Sequence, residues 1–178
     1  RNVKVYVTLN IFAKNEDFAD LEDYLRVLEK AGADAVLVSD LGVLGYVRSL
    51  SSLPVHISTQ ANTTNKYAVR MWKTLGASRV VLSRETSLSD ISEITRFCPD
   101  VEIEAFVHGA MCISYSGRCL MSNYLAHRDA NRGECVQACR WQWSVREVSR
   151  SDEMPIEEDE RGTYIFNSKD MNMLAYLP

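Results

Sequence analysis

The feature that most restricts what this chain can become is an alternation. Over the first hundred residues, short apolar runs rich in β-branched side chains trade places with amphipathic stretches. VKVYVTL (3–9) leads into DFADLEDYLRVLEKAGA, where Phe18, Leu21, Leu25 and Leu28 recur at the spacing of one helix face. Asp17 or Asp20 is placed to cap that helix, and Gly32 to end it. AVLVS (35–39) reads as a strand, followed by a helix over 41–50. PVHIST (54–59) is a third strand and NKYAVRMWKTLGA its helix. RVVLSR (79–84) precedes SLSDISEITRFC, which stops at Pro99, and VEIEAFV (101–107) is a fifth strand. Near the end GTYIFNSKDMNMLAYL repeats the unit, with a strand over 163–166 and a helix from Ser168.

Strand–helix units in series imply parallel pairing. An open doubly wound sheet and a (β/α) barrel both fit. No GxGxxG follows the first strand and no GxxxxGK[ST] occurs, so the nucleotide-binding open sheets lose support. The strand ends favour the barrel. Asn10, Ser39-Asp40, Ser58, Gln60, Asn62, Arg84-Glu85, His108 and Asn167 all follow apolar runs, and the carboxyl ends of barrel strands form the active-site face. The expected class is α/β, an incomplete fragment of a TIM-type barrel with about six of the eight units. The missing units are expected before residue 1 and after 178, or from a homo-oligomer or domain exchange. Three segments are expected: barrel units over 1–111, a cysteine-rich insertion with an acidic stretch over 112–162, and a truncated unit over 163–178.

Composition excludes little else. The chain's 178 residues, 46% hydrophobic and 25% charged, suffice for one globular core. No apolar run approaches the ~18 to 20 residues that cross a bilayer, so no membrane partner is expected and the location is expected to be cytoplasmic. A net charge of −4 gives no general attraction to a polyanion. Locally the picture differs. From Cys112 to Arg150 there are six arginines, no lysine and three acids, whereas SDEMPIEEDE (151–160) carries six acids and no base. The first stretch permits contact with RNA phosphates; it reads equally as a solvated surface.

Four of the five cysteines fall in that basic stretch. Cys112, Cys119, Cys135 and Cys139 are spaced C-x6-C-x15-C-x3-C. Disulfides are uncommon in intracellular α/β enzymes, which the rest of the chain resembles. Structural zinc prefers tight knuckles at both ends, and only Cys135 and Cys139 supply one. A [4Fe–4S] cluster takes four thiolates on wider loops, and Gly117 and Gly133 let backbone approach it. Spacing alone leaves iron–sulfur, zinc and unligated thiols open. Cys98, at a helix end, reads as a small buried hydrophobe.

EAFVHGAMCISYSGRCLMS (104–122) resembles the signature of the collagenase-like peptidase family U32. DANRGECVQACRW, RGTYIFNSKDM, VYVTLN and HISTQANTTN are also similar to that family, so the resemblance runs along essentially the whole chain. It implies a β/α barrel with added domains. For function it implies either a peptidase, the activity that named the family, or oxygen-independent hydroxylation of RNA bases or quinone precursors with a four-cysteine iron–sulfur cluster. The segment RGTYIFNSKD looks most like the branch that makes 5-hydroxyuridine at the tRNA wobble position, with prephenate as the implied hydroxyl source. Some relatives place the fourth ligand further downstream, which singles out Cys139 as the least fixed of the four.

The residues themselves argue against a conventional protease: neither HExxH nor GxSxG is present. A Cys112–His108 nucleophile pair is conceivable, but a thiolate bound to iron is a poor free nucleophile. For a hydroxylase, Arg84 suits a carboxylate of a small dicarboxylate, with Asn10, Gln60 and Asn62 orienting its polar groups. Glu104 and His108, separated by two strand periods, should share a face as an acid/base pair. The plainer alternatives are a structural carboxylate at Glu104, a loop-orienting His108, a core His56 and an Arg84 paired with Glu85. Arg118, Arg128, Arg132 and Arg140 are the phosphate contacts for tRNA, or for rRNA in the neighbouring branch. Trp141, Trp143 or Tyr124 either stack on a base or, for the tryptophans, cover the cluster from water. Trp72, on a helical stripe, reads as core. The remaining alternative is a zinc-stabilised RNA-binding module.

Overall fold

The computed structural model describes residues 3–141, 143–146, 148, 149, 151, 154, 155, 158, 159, 162, 163 and 171–177. The chain divides into two compact units, Arg1–Ala105 and Phe106–Pro178.

In the first unit β1 (Tyr6–Leu9), β2 (Ala35–Val38), β3 (Val55–Ile57), β4 (Ala77–Val81) and β5 (Glu102–Glu104) form one sheet in the order in which the chain makes them. Every neighbouring pair is parallel. The helices α1 (Leu21–Ala31), α2 (Leu41–Leu50), α3 (Lys66–Thr74) and α4 (Leu88–Phe97) connect them. Alternation within each strand sends Val36, Val38, Val55, Ile57 and Val80 to one face, where they join Leu25, Val47, Val69 and Ile94 from the four helices in a single buried cluster. Fully burying each such side chain contributes about 1.5–3 kcal/mol. All four helices therefore cover the same face. A doubly wound sheet would place them on both; what is found is a five-stranded parallel sheet in chain order with its helices on one face.

Local signals set the element ends. The side chains of Asp40, Asn65 and Ser87 accept from the backbone N–H of Val43, Ala68 and Asp90, at 2.9, 2.9 and 3.2 Å, each cap typically contributing ~1 kcal/mol. Gly32 ends α1 in the left-handed conformation, φ 76°, as expected. Asp20 stands at the start of α1 without capping it through its side chain. Asp17 instead closes the preceding 3-10 turn, accepting from Lys14 N–H at 2.6 Å.

Two expectations need correction. The fifth strand is Glu102–Glu104, not 101–107, and His108 lies in a separate strand. Of the expected sixth unit, the strand over 163–166 falls almost wholly outside the described residues; among those described, Gly162–Thr163 pairs antiparallel with Glu158–Asp159, and Met171–Asn172, expected within its helix, pairs antiparallel with His108–Gly109. Leu174–Tyr176 is a 3-10 turn where a helix was expected. Residues 164–170, with Asn167 and Ser168, lie outside the described residues.

The second unit is built from small pieces: β6 (His108–Gly109), α5 (Met121–Ala126) and the two-residue strands β7 (Ser144–Val145), β8 (Met154–Pro155), β9 (Glu158–Asp159), β10 (Gly162–Thr163) and β11 (Met171–Asn172). No helix among the described residues is long and apolar enough to cross a membrane.

Candidate functional site

The cysteine segment is organised by backbone turns. Tyr115–Gly117, Ala130–Arg132 and Ala138–Arg140 are 3-10 turns, the first two followed closely or ended by glycine in the left-handed region (Gly117 φ 89°, Gly133 φ 81°). Gln137, between Cys135 and Cys139, also takes a left-handed conformation, φ 55°, which costs a non-glycine residue roughly 1 kcal/mol or more. Its N–H thereby reaches back to Cys135 Sγ at 3.3 Å. Met121 N–H makes the same two-residue return to Cys119 Sγ, at 3.4 Å. Backbone donors to sulfur are among the contacts that tune sulfur ligands of a metal centre.

Other bonds draw the segment's arms together. Buried Ser122 on α5 accepts from Val136 N–H at 3.1 Å. Arg140 donates through Nη2 to the Met111 carbonyl at 3.2 Å. Cys112 Sγ meets Ser114 Oγ at 3.6 Å. All five cysteines are free.

Burial pushes the Cys139 thiol above its ordinary pKa. The Arg140 charge pulls it down, while Cys112, Cys135 and Cys119 each push it up. Cys112, Cys119, Cys135 and Cys139 are the sulfur donors of this segment. They do not yet form a ligand sphere: no three of the described His, Cys, Asp and Glu side chains make a group that could hold a metal ion as they stand. The donor chemistry, four free thiols on one segment, fits a thiolate-ligated centre. Cys98 is apart, buried in the first unit and directed at the Lys66 carbonyl, as expected of a small core residue.

The carboxyl ends of the first unit's strands form a second polar site. Asn10, after β1, donates to Ser58 Oγ beyond β3 at 3.1 Å. Ser58 begins a 3-10 turn, Thr59–Ala61, that ends with Asn62 in the left-handed region, φ 54°. Thr59 Oγ1 donates to the Leu82 carbonyl at 3.1 Å, tying that turn to the end of β4. Four buried oxygens here have no protein partner: Ser39 Oγ, Gln60 Oε1, Asn62 Oδ1 and Thr86 Oγ1. They follow three consecutive strands, β2, β3 and β4. Leaving such groups unsatisfied costs ~1–3 kcal/mol each, and a polar guest or ordered water would supply the missing partners. The residues Gln60 and Asn62 were read from sequence; Ser39 was noted only as a strand end, and Thr86 was missed. Arg84 follows β4 on this edge, and its neighbour Glu85 accepts a hydrogen bond from Ser83 Oγ.

The helix-free face of the same sheet carries a charged row that the sequence reading missed. Leu37, His56, Arg79 and Glu102 stand in register across β2 to β5. Arg79 donates to Glu102 at 2.6 and 2.8 Å and to Glu104 at 3.3 Å. Its guanidinium lies 5.1 Å from the Tyr6 ring, and Tyr6 meets His56 edge-on at 4.8 Å. The Arg79 partnership lowers the Glu102 pKa. Burial first, then the Arg79 charge, lowers that of His56, a core residue as expected. Glu104 thus has a structural partner. Because β5 ends at Glu104, strand alternation does not carry it onto a common face with His108, which is exposed on β6. Trp72 packs against the core and donates to Thr63 Oγ1 at 2.9 Å.

The family model described as peptidase family U32 matches residues 1–178. The tRNA hydroxylation protein P1 of Bacillus subtilis (strain 168) is 42% identical over 176 residues, which are 98% of this chain and 42% of that protein. The tRNA hydroxylation protein P of Escherichia coli (strain K12) is 38% identical over 218 residues, covering 98% and 48%. A solved structure of a U32 peptidase superposes with a TM-score of 0.52 at 17% identity, over 61% of this chain and 47% of that one, a likeness of fold. The chain spans less than half the length of these relatives.

Proposed function

The chain belongs to peptidase family U32, and from that premise we propose that it supplies a barrel wall and the cysteine segment of an oxygen-independent RNA hydroxylase. The reaction favoured is conversion of the tRNA wobble uridine to 5-hydroxyuridine, with prephenate or a similar small dicarboxylate as hydroxyl source. The names of the most similar relatives support the tRNA assignment. The sequential sheet with helices on one face supports the barrel wall.

The observation that carries the reading is the gathering of four free thiols on one short segment, two of them accepting backbone N–H groups. Cys112, Cys119, Cys135 and Cys139 would hold a [4Fe–4S] cluster, which when bound supplies one-electron chemistry. Arg140, whose charge already acts on Cys139, offsets the negative charge of such a centre. Arg118 and Arg132 are assigned to phosphates of the RNA.

On the strand-end site, Arg84 takes a carboxylate of the small acid as a charge-assisted pair. Asn10, Gln60 and Asn62 orient its remaining polar groups. The two unpartnered amide oxygens, Gln60 Oε1 and Asn62 Oδ1, call for a donor, which a hydroxyl on the acid provides and a bare dicarboxylate does not. Glu104 and His108 are the candidate proton-handling groups, each acting by itself and not as a pair on one strand face. Glu104 is the more loosely held of the two carboxylates on Arg79, 3.3 against 2.6 Å.

The test uses full-length protein purified without oxygen. It should be brown and carry iron, and Cys119→Ala should remove colour, iron and hydroxylated pyrimidine in tRNA together, the last read by nucleoside mass spectrometry. Colourless protein loaded with zinc would overturn the cluster. Unchanged tRNA nucleosides in a deletion strain, with altered peptide turnover, would replace the hydroxylase by the peptidase.

A further inference from the structure

Two of the chain's three tryptophans follow Cys139 at once. The Trp141 and Trp143 rings stack nearly parallel, with centroids 6.1 Å apart and planes 12° apart. They are not equivalent. Trp143 is half-buried, and its Nε1 donates to the Ala138 carbonyl at 2.8 Å. That bond fixes the indole to the 3-10 turn that contains Cys139. Trp141 is anchored through its own backbone N–H to the same carbonyl, at 3.2 Å, yet its residue is 45% exposed. One ring is thus held from inside, and the other lies against it with surface left to solvent.

A flat ring already immobilised on one side loses little freedom when another flat ring settles on it. The choice of guest follows from charge. Residues 112–150 hold six arginines against three acids and no lysine, with six acids following in 151–160; the arginine stretch that carries the ring is the part suited to a polyanion. Among polyanions, only one with unpaired bases offers ring faces; in a duplex those faces are stacked on one another. Aromatic platforms within arginine-rich surfaces bind single strands through both terms at once.

We propose that Trp141 is the stacking platform for an unpaired base of single-stranded RNA, held from behind by Trp143 beside the Cys139 turn. The assignment rests on the RNA reading above and divides the tryptophan pair: Trp143 braces the cysteine segment, and Trp141 meets the substrate.

Binding of a short uridine-rich single-stranded RNA to the full-length protein tests it, without any need for turnover. Tryptophan fluorescence should be quenched on binding, much less so with the same sequence annealed to its complement or with an RNA of abasic sugars. Trp141→Ala should weaken single-strand binding about ten- to hundredfold, Trp141→Phe should recover most of it, and neither should change iron content. Unchanged affinity in Trp141→Ala would overturn the platform. So would loss of iron in that variant, since the ring would then be a cover for the cysteines. Single-strand binding with this profile, in a protein that hydroxylates nothing, would keep the platform while removing the hydroxylase.

Discussion

The two units of this chain are stabilised by different means. The first closes a hydrocarbon core in which Leu25, Val36, Val38, Val47, Ile57, Val69, Val80 and Ile94 are at most 2% exposed. Three of its four helices are capped by side chains and its strands pair in unbroken chain order. In the second unit the buried apolar residues among those described are two alanines, Ala130 and Ala138, and the largest fully buried side chain is that of Ser122. Meanwhile Leu120, Tyr124 and Val148 are each more than three-quarters exposed. Order there comes from turns, backbone bonds to side chains and antiparallel pairs of two residues. The described residues of that unit supply little of the apolar area that offsets chain entropy, and small modules in that position characteristically rely on metal or disulfide cross-links. The cysteines lie in the unit that needs them.

The largest effect expected from this contrast is metal removal. Stripping the proposed cluster from the full-length protein by chelation under reducing conditions should open residues 106–178 to limited proteolysis by at least about tenfold, because binding energy at such a centre is folding energy. Peptides from 3–105 should stay protected. Equal resistance in both units after complete iron loss would break the comparison, since the second unit would then be held by something other than its thiols.

The complementary perturbation is Ile57→Ala, which removes a fully buried side chain from the helix-covered face. The expected cost is about 2–5 kcal/mol, read as a lower urea midpoint. Hydrogen exchange sharpens the comparison: protection should fall across β1 to β5 and leave the Cys119–Gln137 region unchanged. A matching loss there would mean that the two units unfold as one.

What the sequence disclosed follows the same division. The first unit was legible because its signals are local: apolar periods of two and three-to-four, a terminal glycine at Gly32, a stop at Pro99. Its charged row was not, because nothing within RVVLSR or VEIEAFV announces that Arg79 will face Glu102; register across strands decides it. That row also explains why Glu104 is engaged by Arg79, a partnership invisible from strand spacing alone. In the second unit the cysteine set was readable as spacing, whereas the left-handed Gln137 and the N–H groups it and Met121 turn toward sulfur depend on loop conformation. The helix expected from Ser168 onward misled for a simple reason. It was read from apolar spacing alone, whereas Met171–Asn172 pairs antiparallel with His108–Gly109 and Leu174–Tyr176 is a 3-10 turn, and long-range pairing is not announced by spacing.

The smallest expected effect concerns His56, within the first unit. Its pKa is lowered by burial and by Arg79, so the folded state resists a proton that the unfolded chain accepts. Stability from this source is fully present above the unfolded histidine pKa, about 6.5. It falls as pH drops from there toward the lowered folded value, and is level again below it. Glu102, lowered by Arg79, acts in a separate window: its stabilisation is present above the unfolded carboxylate value and lost as pH falls toward its depressed one. Replacing His56 with Gln should flatten the stability profile between about pH 7 and the lowered histidine pKa, while leaving the carboxylate limb in place. Urea midpoints of parent and variant across that range measure it. Parallel slopes would mean that His56 takes its proton without opposition, and that the uncovered face of the sheet is wetter than its packing against Tyr6 and Arg79 implies.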